Sequence, residues 1–295
     1  MTIIIGSEKS SNRILKLAQL TGYRYLLYKE RVFPNGEVLV YVENPKAFRN
    51  NAVHIFIETY PDTNSQIIKL LELLEIVNHY GVDNITLMIP YLSYSRQDKR
   101  FRPGEPITIK MLIEILNFYK ISRLISFEVH NPQVIYKYAD FTFTNLSIGV
   151  DLVKKVIDSL GNSEVFLMAP DKGRWDTVNM IAKALDLPSG YIMKIRDLET
   201  GTVSMKGIVG DLRPNIPVIL LDDEISTGGT MALATDYLKK QGINRVQAVA
   251  THLLLVKDAE KKLFNSGVDN IFGSNTIPNK YAILEVEPYI AKEIV

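Results

Sequence analysis

Two adjacent carboxylates, Asp222 and Asp223, stand four residues ahead of a hydroxyl- and glycine-rich run, Ser226, Thr227, Gly228, Gly229 and Thr230. Paired Asp side chains suit the vicinal hydroxyls of a sugar. Glycines let the backbone approach an anion closely, and the helix-like segment at 231–241 would present unpaired N–H groups and a positive dipole end to it. The combination reads as a cup for a sugar phosphate. The same residues also suit a plain strand-to-helix turn, with Asp223 or Ser226 capping the helix and the glycines serving geometry alone. The double Asp followed by Ser-Thr-Gly-Gly-Thr favours the phosphate reading.

A second group lies at 91–108. Arg96, Lys99, Arg100 and Arg102 alternate with Gln97, Asp98 and Glu105. Charge runs are usually solvated, but this one follows a predicted strand, and guanidinium and amide groups there can stack on a base and bind phosphate oxygens. His130 stands beside Glu128 at the end of another predicted strand. His54 and His79 read as structural, one in a strand and one near a helix end. His252 ends a strand and orders its surroundings, and Trp175 packs between loop and helix. Lys194 and Arg196 by themselves read as solvated loop charges.

These residues need strands to hold them. Short aliphatic runs alternate with amphipathic segments along the whole chain, the pattern of a mainly parallel sheet flanked by helices. Strands are predicted at 53–59, 84–90, 123–129, 164–169, 218–221 and 245–251, and helices at 64–80, 108–119, 151–160, 177–184 and 231–241. In open α/β sheets ligands bind beyond the carboxyl ends of strands, which is where the acid pair, the 91–108 run and His130 fall. Similar helix-loop-strand stretches at 81–90, 120–129 and 242–251 suit generic α/β punctuation and also two α/β domains in tandem. The junction is expected near 145–149. The segment at 288–295 is expected to return and cover the first domain.

Composition narrows the class. The chain has 295 residues, enough for two domains, with 34 basic against 33 acidic residues and a formal charge of +1. A nucleic-acid binder normally carries a basic excess. The absence of Cys removes disulfides, thiolate metal sites and a cysteine nucleophile. No apolar run approaches the ~20 residues that span a bilayer. The start, MTIIIGSEKS, lacks the features of a signal peptide. The expectation is a cytoplasmic enzyme without nucleic-acid or membrane partners.

The segment 218–230 resembles the phosphoribosyl diphosphate loop of phosphoribosyltransferases and ribose-phosphate pyrophosphokinases. Five further segments resemble the latter family in collinear order, covering most of the chain. They are Phe33-Pro34-Asn35-Gly36-Glu37, Tyr94-Ser95-Arg96-Gln97-Asp98 with Glu105 to Thr108, Glu128-Val129-His130, Pro170-Asp171-Lys172-Gly173 and Lys194-Ile195-Arg196. The resemblance implies two tandem phosphoribosyltransferase-like domains. The first, 1–145 with 281–295 returning, would hold ATP, and the second, 146–280, would hold ribose 5-phosphate and phosphoribosyl diphosphate.

The implied reaction moves the diphosphoryl group of Mg-ATP to the C1 hydroxyl of ribose 5-phosphate, giving phosphoribosyl diphosphate and AMP for nucleotide biosynthesis. Phe33, Asn35, Glu37, Arg96, Gln97, Asp98 and His130 would place ATP. Asp222, Asp223 and Ser226 to Thr230 would hold the sugar phosphate, and Asp171, Lys172 and Gly173 the diphosphate. Lys194 and Arg196, on a flexible loop in the family, would act in the transition state. His130, Asp171 and Glu128 would serve Mg2+ directly or through water. The Phe33–Glu37 loop reaches a neighbouring subunit's nucleotide in the family, which implies a homodimer or larger homo-oligomer. Asn35, Glu128 and Ser226 each replace the family's usual Asp, and Val256-Lys257 stands where Ser-Gly is usual. The alternatives are a phosphoribosyltransferase and a non-catalytic regulatory relative.

Overall fold

Strands that read as unbroken aliphatic runs are buried on both faces, as parallel strands covered by helices must be. Every residue of Ile85–Met88 and of Phe166–Ala169 is buried. A computed structural model describes residues 1–161, 164–196 and 203–295, and the side chains of 195, 196, 203 and 204 lie outside it. The chain forms two compact units, Met1–Leu146 with Val286–Val295, and Ser147–Glu285.

The first unit contains β1 (Thr2–Ser7), α1 (Ser11–Thr21), β2 (Arg24–Val32), β3 (Val38–Tyr41), β4 (Ala52–Phe56) and α2 (Thr63–His79). It continues with β5 (Ile85–Met88), α3 (Thr108–Phe118), β6 (Arg123–Phe127), α4 (Pro132–Tyr138) and β7 (Thr142–Leu146). The second contains α5 (Gly149–Leu160), β8 (Phe166–Ala169), α6 (Trp175–Ala184), β9 (Ser189–Arg196), β10 (Val203–Val209) and β11 (Val218–Ile225). After these come α7 (Gly229–Lys240), β12 (Val246–Leu253), α8 (Ala259–Asn265), β13 (Asn270–Ser274) and β14 (Ala282–Leu284). The last helix, α9 (Glu287–Ile294), belongs to the first unit.

Each unit is built on a seven-stranded sheet. The orders are β3-β2-β1-β4-β5-β6-β7 and β10-β9-β8-β11-β12-β13-β14, one topology used twice. Only the β2–β3 and β9–β10 pairs are antiparallel among the described strands. In both sheets the order reverses between the first and fourth strands of the unit, at β1/β4 and at β8/β11. Such a reversal opens a crevice beyond the strand ends.

The returning segment starts at Val286 and not at 281. Ala282–Leu284 adds to the second sheet beside β13, with Gly273 opposite Ala282. The return is then fastened by α9: Tyr23 Oη donates to the Ile294 carbonyl at 2.7 Å, and Arg13 and Arg123 pair with Glu287 and Glu293. A second departure concerns Lys194 and Arg196, which lie on β9 and not on a loop. Met205 stands opposite Lys194 and Val203 opposite Arg196. The local pattern Tyr-Ile-Met-Lys-Ile-Arg carries β-favouring residues between the charges, and pairing with a distant strand realises it. Among the described residues no helix is long and apolar enough to cross a membrane.

Candidate active site

The acid pair lies inside a strand. β11 runs past residue 221 to Ile225, because β12 continues to pair with it, Asp222 opposite Ala250 and Glu224 opposite His252. Asp223 is 3% exposed. Its backbone N–H donates to Asp222 Oδ1 at 2.9 Å. Burial pushes the Asp222 carboxyl well above the usual carboxylate range, and the charge of Asp223 and a hydrogen bond with it push the same way; Arg174 pulls against them.

Beyond β11 the chain turns into α7 through Gly228, whose φ of +70° favours glycine. A Cβ there would lie 3.3 Å from the Ala259 carbonyl oxygen and 3.3 Å from Leu263 on α8. Gly229 differs: a Cβ would meet only Thr227 Oγ1 at 3.8 Å, so the approach to the helix start is open. No side chain caps α7, so neither Asp223 nor Ser226 takes that role. Its first N–H groups therefore suit an anion. The loop is braced from behind, where Lys262 Nζ donates to the Thr227 carbonyl at 3.1 Å and the Val256 N–H to the Ser226 carbonyl at 3.1 Å. His252 is buried on β12 and its Nδ1 lies 2.9 Å from Thr276 Oγ1.

The partner strand across the reversal, β8, ends in the Asp171 turn. Asp171 Oδ1 accepts from the Gly173 and Arg174 N–H groups at 2.9 and 3.3 Å, shaping a single 3-10 turn over Lys172–Arg174. Its other oxygen accepts from Lys194 Nζ at 2.7 Å. Fold and turn thus bring Asp171 and Lys194 together; the side chain of Arg196 lies outside the described residues. Arg174, which reasoning from the sequence missed, is the link to the acid pair. Its guanidinium lies 3.8 Å from both Asp222 and Asp223. A guanidinium one residue past Pro-Asp-x-Gly was the available signal. Trp175 packs tilted against Tyr191, ring centroids 5.4 Å apart, which joins the start of α6 to β9.

In the first unit two of the segments expected to place the nucleotide meet at neighbouring strand ends. Asp98, after β5, accepts from Asn131 Nδ2 at 2.7 Å, which joins the Arg96–Asp98 loop to the Glu128–His130 segment after β6. Gln97 accepts from the Thr108 hydroxyl at the start of α3, and Arg96 is exposed beside it. Glu128 has φ +38°, a strained backbone for a non-glycine residue, and such strain concentrates at functional sites. Phe33 and Glu37, on the β2–β3 turn, line an open groove of 630 Å3 with Asn64, Ser65 and Ile68 of α2. Asn35 closes that turn by accepting from the Glu37 N–H at 3.2 Å.

Near the reversal at β1/β4 the first unit's own charges pair with one another. Glu30 accepts from Ser7, Lys9 and Lys69, each at 2.8 Å, and Glu58 accepts from Ser10 and Arg13. Where β11 carries its acid pair, β4 leads into buried Phe56 and Ile57. Among the described residues no group of three or more His, Cys, Asp or Glu could hold a metal by itself. Mg2+ rarely asks for one: it takes one or two carboxylates, several waters and substrate phosphates. Asp222 and Asp223, hard donors already facing a cation, fit that demand. At Asp171 an ion would have to displace Lys194 or act through water.

A model of the N-terminal domain of ribose phosphate pyrophosphokinase matches residues 2–119, and a phosphoribosyl transferase domain model matches 146–287. The ribose-phosphate pyrophosphokinase of Sulfurisphaera tokodaii is 33% identical over 295 residues, covering 99% of this chain and 100% of that protein. The chain belongs to the ribose-phosphate pyrophosphokinase family. A relative of the same name from Aeropyrum pernix is 34% identical over 281 residues, 94% of this chain and 90% of that protein. The phosphoribosylpyrophosphate synthetase of Mycobacterium smegmatis shares the fold with a TM-score of 0.88 at 23% identity, over 99% of this chain and 97% of that one. As in other members of this pyrophosphokinase family, the chain is read as two tandem phosphoribosyltransferase-type domains.

Proposed function

We propose that this chain transfers the diphosphoryl group of Mg-ATP to the C1 hydroxyl of ribose 5-phosphate, yielding 5-phosphoribosyl 1-diphosphate and AMP. The observation that carries the reading is the second unit's strand-order reversal. There the acid pair and an uncapped helix start on one strand meet a cationic turn on the next. Asp222 and Asp223 receive the ribose hydroxyls, and the N–H groups and hydroxyls of Ser226 to Thr230 receive the 5-phosphate. The Lys172–Arg174 turn and Lys194 face a diphosphate.

Diphosphoryl transfer asks little covalent chemistry of the protein. It needs positioning, and positive charge placed where negative charge moves. Lys194 is held on a strand beside Asp171 and supplies such a charge; Arg196 is assigned the same task. Mg2+, when bound with substrate, supplies further charge neutralisation. Arg96, Gln97, Asp98 and His130 place the nucleotide in the first unit, with Glu128 behind His130. Phe33, Asn35 and Glu37 project on a hairpin that also bears exposed Leu39 and Tyr41, which supports a homo-oligomer with a shared nucleotide site. A cytoplasmic role in nucleotide supply completes the reading.

The test is AMP formation from ATP with and without ribose 5-phosphate. AMP appearing only with the sugar phosphate supports the proposal. Consumption of phosphoribosyl diphosphate with a base would assign a phosphoribosyltransferase, and no turnover in either assay a non-catalytic relative.

A further inference from the structure

An Asn at the N-cap of a helix ordinarily turns its side-chain oxygen onto the first N–H groups of that helix. Asn131 stands at the N-cap of α4 and its side chain makes no such bond. Its Nδ2 donates instead to Asp98 Oδ2 at 2.7 Å, across 33 residues of chain. A bond of this length to a carboxylate belongs to the stronger class of hydrogen bond. The side chain of Asn131 therefore serves the loop after β5 and not the helix that it precedes.

Both ends of this bond are fastened elsewhere. On one side the Glu128 N–H donates to the Leu146 carbonyl at 3.0 Å and the Val129 N–H to Asn145 Oδ1 at 2.9 Å, which ties the segment to the end of β7. On the other, the Gln97 N–H donates to the Tyr94 carbonyl at 2.9 Å, and Gln97 Oε1 accepts from the Thr108 hydroxyl at the start of α3. Arg96, Gln97 and His130 are exposed, whereas Asp98 and Asn131 are half-buried. The groups that would meet a nucleotide thus face solvent, and the bond joining their two segments is partly shielded from water. We propose that Asn131 is a positioning residue for the nucleotide, locking the Arg96–Asp98 loop to the Glu128–His130 segment so that both are in place before ATP binds. Such preorganisation raises affinity by cutting the ordering cost of binding. The inference rests on the Mg-ATP reading of this site and adds a residue that reading leaves out.

The test asks whether Asn131 acts on ATP through Asp98 or only on α4. ATP in excess Mg2+ is titrated calorimetrically into the parent, Asn131→Ala and Asn131→Ser, and the KM values for ATP and ribose 5-phosphate are measured alongside. Ser caps a helix about as well as Asn does, but it is too short to take over the bond to Asp98. Both variants are expected to bind ATP about ten-fold more weakly and to raise the KM for ATP by a similar factor, the lower end of what a partner behind a binding group contributes. The KM for ribose 5-phosphate should not move. In an Asp98→Ala background, Asn131→Ala should add about two-fold or less, because the bond is already gone. An Asn131→Ser variant that binds ATP like the parent overturns the proposal. So does a ribose 5-phosphate KM that rises with that for ATP, or an undiminished loss in the Asp98→Ala background. Should Asn131→Ala not fold, Asn131→Ser carries the same measurements. A parent that binds ATP yet makes no AMP with ribose 5-phosphate would sink the functional reading, while the titrations still decide this one. A parent that binds no ATP overturns both.

Discussion

Lys194 is the residue whose setting says most about chemistry. It is partly buried on β9 and held by Asp171 at 2.7 Å, so its charge is preorganised. An interaction made only as charge moves lowers kcat and kcat/KM together. Lys194→Ala is expected to lose roughly hundred-fold in both, the scale of one preorganised donor, with the ribose 5-phosphate KM little changed. Steady-state kinetics checks this, and near-normal turnover would remove Lys194 from the mechanism. Glu128 and His130 offer a second comparison. Glu128 is one methylene longer than the Asp usual in the family, and its backbone is held at φ +38° with its N–H on the Leu146 carbonyl at 3.0 Å. It should act behind His130, where such partners contribute about ten- to hundred-fold. Glu128→Gln is expected to reduce magnesium-dependent turnover by that amount, and His130→Ala by more. The reverse order would exchange the two roles.

At the scale of elements, β4 carries an acid-sensitive position. His54 is 7% exposed, packs edge-on to Tyr23 at 5.8 Å, and its Nδ1 lacks a hydrogen-bond partner. Burial, and then the nearby Arg123 charge, lower its pKa to about 4. The folded state therefore prefers neutral His54, while the unfolded chain takes up a proton at about pH 6.5. This contribution to stability is complete above pH 6.5 and is lost as pH falls from there toward 4. At about 1.4 kcal/mol per pKa unit it amounts to roughly 3 kcal/mol. Denaturant unfolding at pH 7.5 and 4.5 should show this loss in the parent. His54→Phe should remove most of it, and an unchanged pH dependence would refute the assignment.

For the whole molecule, the informative device is the return of α9 to the first unit. Ile290, Ala291 and Ile294 are buried there, and Glu287 is 1% exposed against Arg13. Truncation after Glu285 would remove two large apolar side chains from that core, about 1.5–3 kcal/mol each, and leave Arg13 with Glu58 but without Glu287. The thermal midpoint of the first unit is expected to fall by roughly 10 °C or more. A scan in which the truncated chain melts like the parent would show that α9 is an ornament on this unit.

The sequence by itself determined the alternation of strand and helix, because parallel strands buried on both faces are unbroken aliphatic runs that need no partner to be recognised. It also marked the acid pair and the glycine-rich turn as the place to look for a sugar phosphate, since paired carboxylates suit vicinal hydroxyls and glycine suits that backbone. Motifs in collinear order carried the family. Only the tertiary structure decided that Lys194 stands on a strand paired with β10, that β11 runs past the acid pair, and that β14 delays the chain's return to Val286. Each depends on hydrogen bonds to a strand distant in sequence. The structure alone put Arg174 between Asp222 and Asp223, about fifty residues away along the chain, because only the β8/β11 pairing makes them neighbours. It likewise decided that one topology used twice places Asp222, Asp223 and Arg174 at the strand-order reversal of the second unit and Glu30, Lys69, Glu58 and Arg13 beside that of the first. The folding of each sheet follows local pattern, but which charges stand at each reversal follows from the distant segments that bring them there.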